Sequence, residues 1–146
     1  MREADANASR RTGRKEQVRR FYKVIWDAHD RDAIPSVLHD DFAFRGSLGD
    51  ERRGHKGFAE YVDEVHSALG DYRCVIEVLV EEGAKVFAKM GFGGIHRGRF
   101  MGYKPSGKRV YWSGCALFTF QGQKVSDLWV LGDLRGLEDR LERNSS

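Results

Sequence analysis

The fold turns on residues 58–82, FAEYVDEVHSALGDYRCVIEVLVEE, where apolar spacing changes from that of a helix to that of a strand. Phe58, Tyr61, Val62, Val65, His66 and Leu69 recur three or four residues apart and so share one helical face. This predicts a helix over about 56–69, stopped by Gly70, which suits a helix C-terminus. Beyond it the period falls to two. The stretches YRCVIEVLVEE (72–82), AKVFAKMGF (84–92), RVYWSGCALFTF (109–120) and KVSDLWVLGD (124–133) are rich in β-branched and aromatic residues. Short Gly-bearing turns at 82–83, 105–107 and 121–123 separate them, which implies an antiparallel meander.

Upstream, Val18, Phe21, Tyr22, Ile25, Trp26 and His29 repeat the helical spacing and predict a helix over 14–30. A short second helix is expected over 32–38, with Asp32 as N-cap and Pro35 in the first turn, where a helix tolerates proline. DFAFRG (41–46) reads as a strand. Helices first and strands afterwards specify an α+β domain: a strongly curved antiparallel sheet packed on three N-terminal helices. Glycines at 91, 93, 94, 98, 102 and 114 suit such bending, and the sheet wraps into a cone around an apolar cavity. The domain is expected over 14–142, preceded by a polar, mobile arm over 1–13.

A chain of 146 residues, 40% hydrophobic and 32% charged, is enough for one domain and one core. No stretch approaches the roughly 20 apolar residues of a membrane span, and the N-terminus has no apolar segment of a secretory signal. A cytoplasmic location without membrane association is therefore the expectation. The net charge of +3 comes from the first 20 residues, where seven Lys or Arg face three acids. A nucleic-acid partner is not expected, since its basic surface belongs on a folded face. Cys74 and Cys115 lie in apolar runs and read as reduced thiols. No HxH, HExxH or paired-cysteine spacing marks a metal site.

In KVSDLWVLGD, strict alternation puts Asp133 on the face of Val125, Trp129 and Leu131. A carboxyl enclosed by Trp129 and Leu131 would have its pKa raised toward neutrality, as an acid/base group requires. The competing reading makes Asp133 the N-cap of a C-terminal helix, LRGLEDRL. Asp127 is either a second pocket carboxylate or a rim residue paired with an arginine. His96, in a bent strand, could orient a carbonyl or act as partner acid, or lie on the surface at a strand end. His55 is placed either at the pocket mouth or in a plain chain turn. Tyr22, Trp26, Phe44, Phe100 and Trp112 are the aromatic residues expected to line the cavity. His29 and His66 are expected at the core edge, each satisfying one hydrogen bond.

Three stretches carry a family resemblance: RGHKGFAEYV (53–62), GIHRGRFMGYKPSGKRVYWSG (94–114) and KVSDLWVLGDLRGLEDRL (124–141). Together they resemble the SnoaL-like polyketide cyclase, or ester cyclase, family, over about residues 15 to 142. The resemblance implies the cone-shaped fold of the nuclear transport factor 2-like superfamily. It also implies a cofactor-free, metal-free enzyme that closes a polyketide ring by intramolecular aldol condensation, with Asp133 as general acid and base. Relatives commonly carry an aromatic or polar residue before that Asp, where this chain has Gly132. They also use a pocket histidine, and the resemblance does not select among the five here.

The leading expectation is thus an enzyme acting on a hydrophobic carbonyl compound. A sibling reading is an epoxide hydrolase or isomerase in which Asp127, Asp133 and Arg97 or Arg99 meet. A different class is a non-catalytic binding or dimerisation module. A dry cavity with Asp133 facing inward favours an enzyme, whereas a filled cone with Asp133 capping a helix favours the module. A homodimer is expected, with Leu128 and Val130 on the exposed sheet face.

Overall fold

The structure, a computed structural model, describes residues 13–145. Of the expected arm over 1–13, all but Gly13 lies outside the described residues. Helix α1 (Arg14–Arg20) continues as a π-helical segment (Phe21–Asp27), a 3₁₀ turn (Arg31–Ala33) follows, and α2 (Ile34–Val37) leads into β1 (Leu38–Arg45). After the short β2 (Glu51–Arg53) come α3 (Gly54–Ala68), β3 (Leu69–Glu82), β4 (Lys85–His96), β5 (Arg109–Gln121), β6 (Lys124–Gly132) and α4 (Leu134–Asn144). The helix-to-strand switch falls at Leu69, whose extended backbone ends α3 one residue before the expected Gly70. The second helix is capped at Asp30, which accepts from the Asp32 N–H at 3.0 Å, rather than at Asp32 itself. Pro35 sits in the first turn of α2, as expected.

The six strands form one curved, unclosed sheet in the order β2-β1-β6-β5-β4-β3. From β3 to β6 it is the expected antiparallel meander. β1 departs from that expectation, since it joins the far side of β6 in parallel. Parallel neighbours need a long crossover, and here the connection is most of the chain.

One extra residue in β6 decides which side chains enter the core. Thr119 pairs with Asp127 but Phe120 pairs with Val125, so Ser126 is a bulge, its hydroxyl donating to the Thr119 carbonyl at 3.2 Å. A bulge shifts the alternation by one position. Val125, Leu128 and Val130 consequently face the helices, at 0%, 1% and 5% exposure. Trp129 and Leu131 face out, at 42% and 46%. The strict alternation assumed from sequence is thereby corrected on both faces: Leu128 and Val130 are core, and Trp129 and Leu131 are surface.

An aromatic cluster joins the helices to the inner face of the sheet. Phe58 on α3, fully buried, lies 4.9–5.8 Å by ring centroids from Phe21, Trp26, Phe42 and Phe44. Rings from the π-helical segment and β1 therefore pack against one side chain of α3. Replacing Phe58 with Ala should cost about 3–5 kcal/mol, since three rigid elements cannot collapse into the space it leaves. Urea unfolding should show this as a lower midpoint with an unchanged slope.

Candidate functional site

Asp133 follows the last ladder residue of β6, and its backbone N–H donates to the Ser113 carbonyl at 2.8 Å. Its side chain is exposed and accepts the Gly136 N–H at 3.0 Å, so it is the N-cap of α4. The expected apolar enclosure is not there. Trp129 stands on the opposite face with the Arg45 guanidinium 5.8 Å from its ring centre, and Leu131 is outside with it. Asp127 is also exposed on the outer face, bordering an open depression with Arg45, Glu51 and Arg53. It is neither a pocket carboxylate nor a partner for Asp133 within the cone. Arg97 lies over Gly70, where its side chain would meet a Cβ at 2.7 Å. The Asp-Arg-Asp arrangement accordingly has no interior meeting point.

Polar atoms do enter the cone, from other residues. His96, at the end of β4, is 1% exposed and points inward in line with Phe92 and Met90, and its Nε2 is buried without a hydrogen-bond partner. The expectation of a surface histidine is overturned in favour of an interior one. Trp112, at 2% exposure on the inner face of β5, leaves its indole Nε1 equally unpartnered. Gly132 explains how that nitrogen is accommodated. A Cβ there would lie 3.0 Å from Ser47 Cβ and 3.1 Å from Trp112 Nε1, so the missing side chain is the space the indole uses. Tyr22, from the π-helical segment, holds a third unpartnered atom, its Oη. Burial pushes its phenol well above the ordinary tyrosine pKa, so it stays a neutral hydroxyl. Leaving such an atom buried and unpaired costs about 1–3 kcal/mol each.

Of these three groups Tyr22 borders a small void, whereas His96 and Trp112 line neither that void nor the larger cleft nearby. The void, about 20 Å³, is lined by Tyr22, Trp26, Phe44, Ser47, Tyr61 and Tyr72 among others, and is roughly one water in size. Tyr22, Trp26 and Phe44 thus reach the interior as expected. Ser47, Tyr61 and Tyr72 were not singled out from sequence. Tyr61 and Tyr72 carried a signal in their apolar phase, whereas Ser47 in a loop carried none. The cleft, about 340 Å³, opens between α3, the loop before β2 and residues 99–101. Leu48, Val65 and Met101 give it apolar walls, and Tyr61 borders both spaces. Its carboxylates, Asp50 and Glu64, are both paired to Arg52, at 3.5 Å and 3.0 Å.

The remaining histidines are structural. His55, in the first turn of α3, has Nε2 at 2.9 Å from the Leu38 carbonyl and 3.1 Å from that of His39, so it ties α3 to the start of β1 and not to the cleft. His29 and His66 stack at 4.0 Å, with Nε2 atoms bonded at 2.7 Å to Asp63 and to the Trp26 carbonyl respectively. Burial lowers the His66 pKa, against the opposing bond to that carbonyl. Cys74 is buried, and both cysteines are free thiols. Among the described residues no three His, Cys, Asp or Glu cluster as a metal site, and no helix is long and apolar enough to cross a membrane.

The sequence profile of the SnoaL-like polyketide cyclase family matches residues 16–141. No curated protein sequence matches the chain. Among solved structures, the chain is similar to a candidate SnoaL-like polyketide cyclase from Jannaschia sp. CCS1 at TM-score 0.79 and 22% identity, covering 88% of this chain and 90% of that one. AclR, a candidate hydroxylase from Streptomyces galilaeus, superposes at TM-score 0.75 and 22% identity over 89% and 85%. A protein of ketosteroid isomerase-like fold from Catenulispora acidiphila does so at TM-score 0.74 and 12% identity over 87% and 92%. At these identities the structural likeness establishes the fold.

The capping role of Asp133 is directly measurable. Asp133→Ala should destabilise the protein by about 0.5–2 kcal/mol, while Asp133→Asn, an equally good cap, should stay within a few tenths. Thermal unfolding of the pair checks this, and equal losses in both would disprove capping.

Proposed function

The chain belongs to the SnoaL-like polyketide cyclase family, and from that premise and the groups inside its cone we propose that it is an acid/base enzyme acting on a hydrophobic carbonyl compound. Family and fold support a cyclase- or isomerase-like role. The finer reading is intramolecular aldol ring closure with His96, rather than the family carboxylate Asp133, as the interior proton carrier. The observation that carries it is the unpartnered Nε2 of a histidine only 1% exposed. An interior imidazole whose nitrogen has no competing partner is suited to exchange a proton with carbon, whereas an exposed carboxylate engaged as a helix cap is not.

In this reading Nε2 of neutral His96 takes the proton from the carbon beside a ketone. The electron pair moves into the enolate, whose oxygen accepts from the Trp112 indole N–H. The enolate carbon bonds to a second carbonyl carbon of the same molecule, and that oxygen takes the proton back from the imidazolium. The proton count closes on the histidine, and the aldol product leaves without any other group having changed.

A second reading has its own support. The interior void is only about 20 Å³, and Asp133 caps α4, the combination expected of an interaction module. The outer sheet face supplies the surface: Val75, Phe87, Tyr111, Trp129 and Leu131 are each at least 40% exposed. Such a contiguous apolar face suits a second copy of the chain. This dimer is compatible with either function, and it replaces the face first assigned to Leu128 and Val130.

The enzyme reading is tested by turnover of di- and polyketones able to close a six-membered ring. His96→Asn should lower kcat by about 10²- to 10⁴-fold with little change in KM, and Asp133→Asn should stay within about threefold of the parent. An active His96→Asn beside an inert Asp133→Asn would return the role to the carboxylate. For the assembly, light scattering at micromolar concentration should give twice the chain mass, and Leu131→Asp should give a monomer. A monomeric parent would refute the dimer.

A further inference from the structure

Phe100 belongs to no named strand, yet it is only 6% exposed, with its ring packed against those of His96 and Trp112, whose interior nitrogens are unpartnered. Its centroid lies 6.2 Å from the His96 ring at 71° and 6.0 Å from Trp112 at 36°. Phe100 also lines the cleft of about 340 Å³. One side chain therefore touches both an open cleft and the two rings assigned to chemistry.

The segment carrying it is built to move as a unit. Phe100 and Tyr103 exchange backbone hydrogen bonds of 3.0 Å and 2.9 Å across a two-residue turn. The turn residues Met101 and Gly102 have φ of 49° and 85°, the left-handed pair of a tight hairpin, which a methionine adopts at a cost. Both of those hydrogen bonds are internal to the hairpin. The chain is anchored before it, where Arg97 and Gly98 donate to the Ala68 carbonyl, and after it, where Gly107 donates to the His96 carbonyl. Between the anchors the side-chain tie is an exposed one, Tyr103 Oη to Glu142 Oε2 at 3.0 Å. Swinging the hairpin outward breaks no bond of the sheet.

We infer that the slot filled by the Phe100 ring is the subsite for the reacting ring of the ligand, vacated when the 100–103 hairpin swings out. The inference rests on the acid/base reading of the interior. The slot specifies a chemical class. It is one aromatic ring thick, so it takes a planar, conjugated ring and disfavours a puckered saturated one. Two of its neighbouring side chains, His96 and Trp112, carry an imidazole nitrogen and an N–H donor, so it favours a ketone over a hydrocarbon of the same shape. Phe100 supplies the shape without the oxygen, and it offers no hydrogen bond to either unpaired nitrogen.

The test uses three small probes, acetophenone, ethylbenzene and cyclohexyl methyl ketone, titrated against the full chain. Phe100→Ala should bind acetophenone about tenfold tighter than the parent, and about fivefold tighter than either other probe. Adding Trp112→Phe should abolish the preference for acetophenone over ethylbenzene. Equal binding by parent and Phe100→Ala, or no preference for the ketone, would overturn the inference. Should Phe100→Ala fail to fold, Tyr103→Phe removes only an exposed hydroxyl. It should speed amide exchange in residues 99–104 and tighten acetophenone binding about two- to threefold. Unchanged exchange and affinity would overturn the hairpin motion. Probe binding needs no turnover, so the two readings fail separately. If His96→Asn stays active while the binding pattern holds, the acid/base assignment falls and the subsite stands. Dependence of turnover on His96 without any gain in Phe100→Ala refutes the subsite alone.

Discussion

A strand buries one face and exposes the other, and a single inserted residue exchanges the two. Ser126 is that residue in β6. It admits Val125, Leu128 and Val130 to the core and sends Asp127, Trp129 and Leu131 outside. It also brings β6 to its end at Gly132 in such a phase that the next residue, Asp133, meets the first turn of α4 and caps it. The inner surface against which the helices pack, the outer apolar face and the position of the Asp133 carboxylate all follow from this one shift.

With the carboxylate outside, the polarity of the interior comes from His96, Trp112 and Tyr22. Three unpaired polar atoms in an aromatic core are a standing cost, and packing alone would be better served by apolar side chains of similar volume. Gly132 shows how closely one of them is accommodated, since any side chain there would collide with the Trp112 indole edge.

The sequence made legible what depends on local period. The change of spacing across Gly70 located α3 and β3, and the meander from β3 to β6 followed from short turns. Register was not legible. Ser126 gives no signal of a bulge, so strict alternation was the natural reading, and it inverted the side-chain assignments of β6 beyond that residue. The parallel pairing of β1 with β6 joins residues such as Phe44 and Leu128, far apart in sequence, and no local pattern announces it. Of the candidate residues, Tyr22 and Trp26 were legible as interior because they lie on an unbroken helical stripe, whereas His55, in the first turn of α3, ties to the start of β1. His96 was ambiguous because a strand-end histidine can face either way, and only its pairing opposite Leu69, under the end of α3, turns it inward.

A cone filled by its own side chain is not thereby a poor binding site. Burying a phenylalanine is worth about 1.5–3 kcal/mol, so Phe100 keeps the empty protein compact and excludes water from His96 and Trp112. A ligand must first displace that ring, and its apparent affinity falls by the fraction of molecules whose hairpin is open. An apolar ring of equal size merely exchanges one hydrophobic contact for another. A ring bearing a correctly placed oxygen gains, in addition, hydrogen bonds that Phe100 cannot make, worth about 0.5–1.5 kcal/mol each and more in a dry enclosure. Selectivity for a conjugated carbonyl then arises from competition with the protein's own side chain, since only a compound that satisfies the stranded nitrogens outbids the phenyl group already in place.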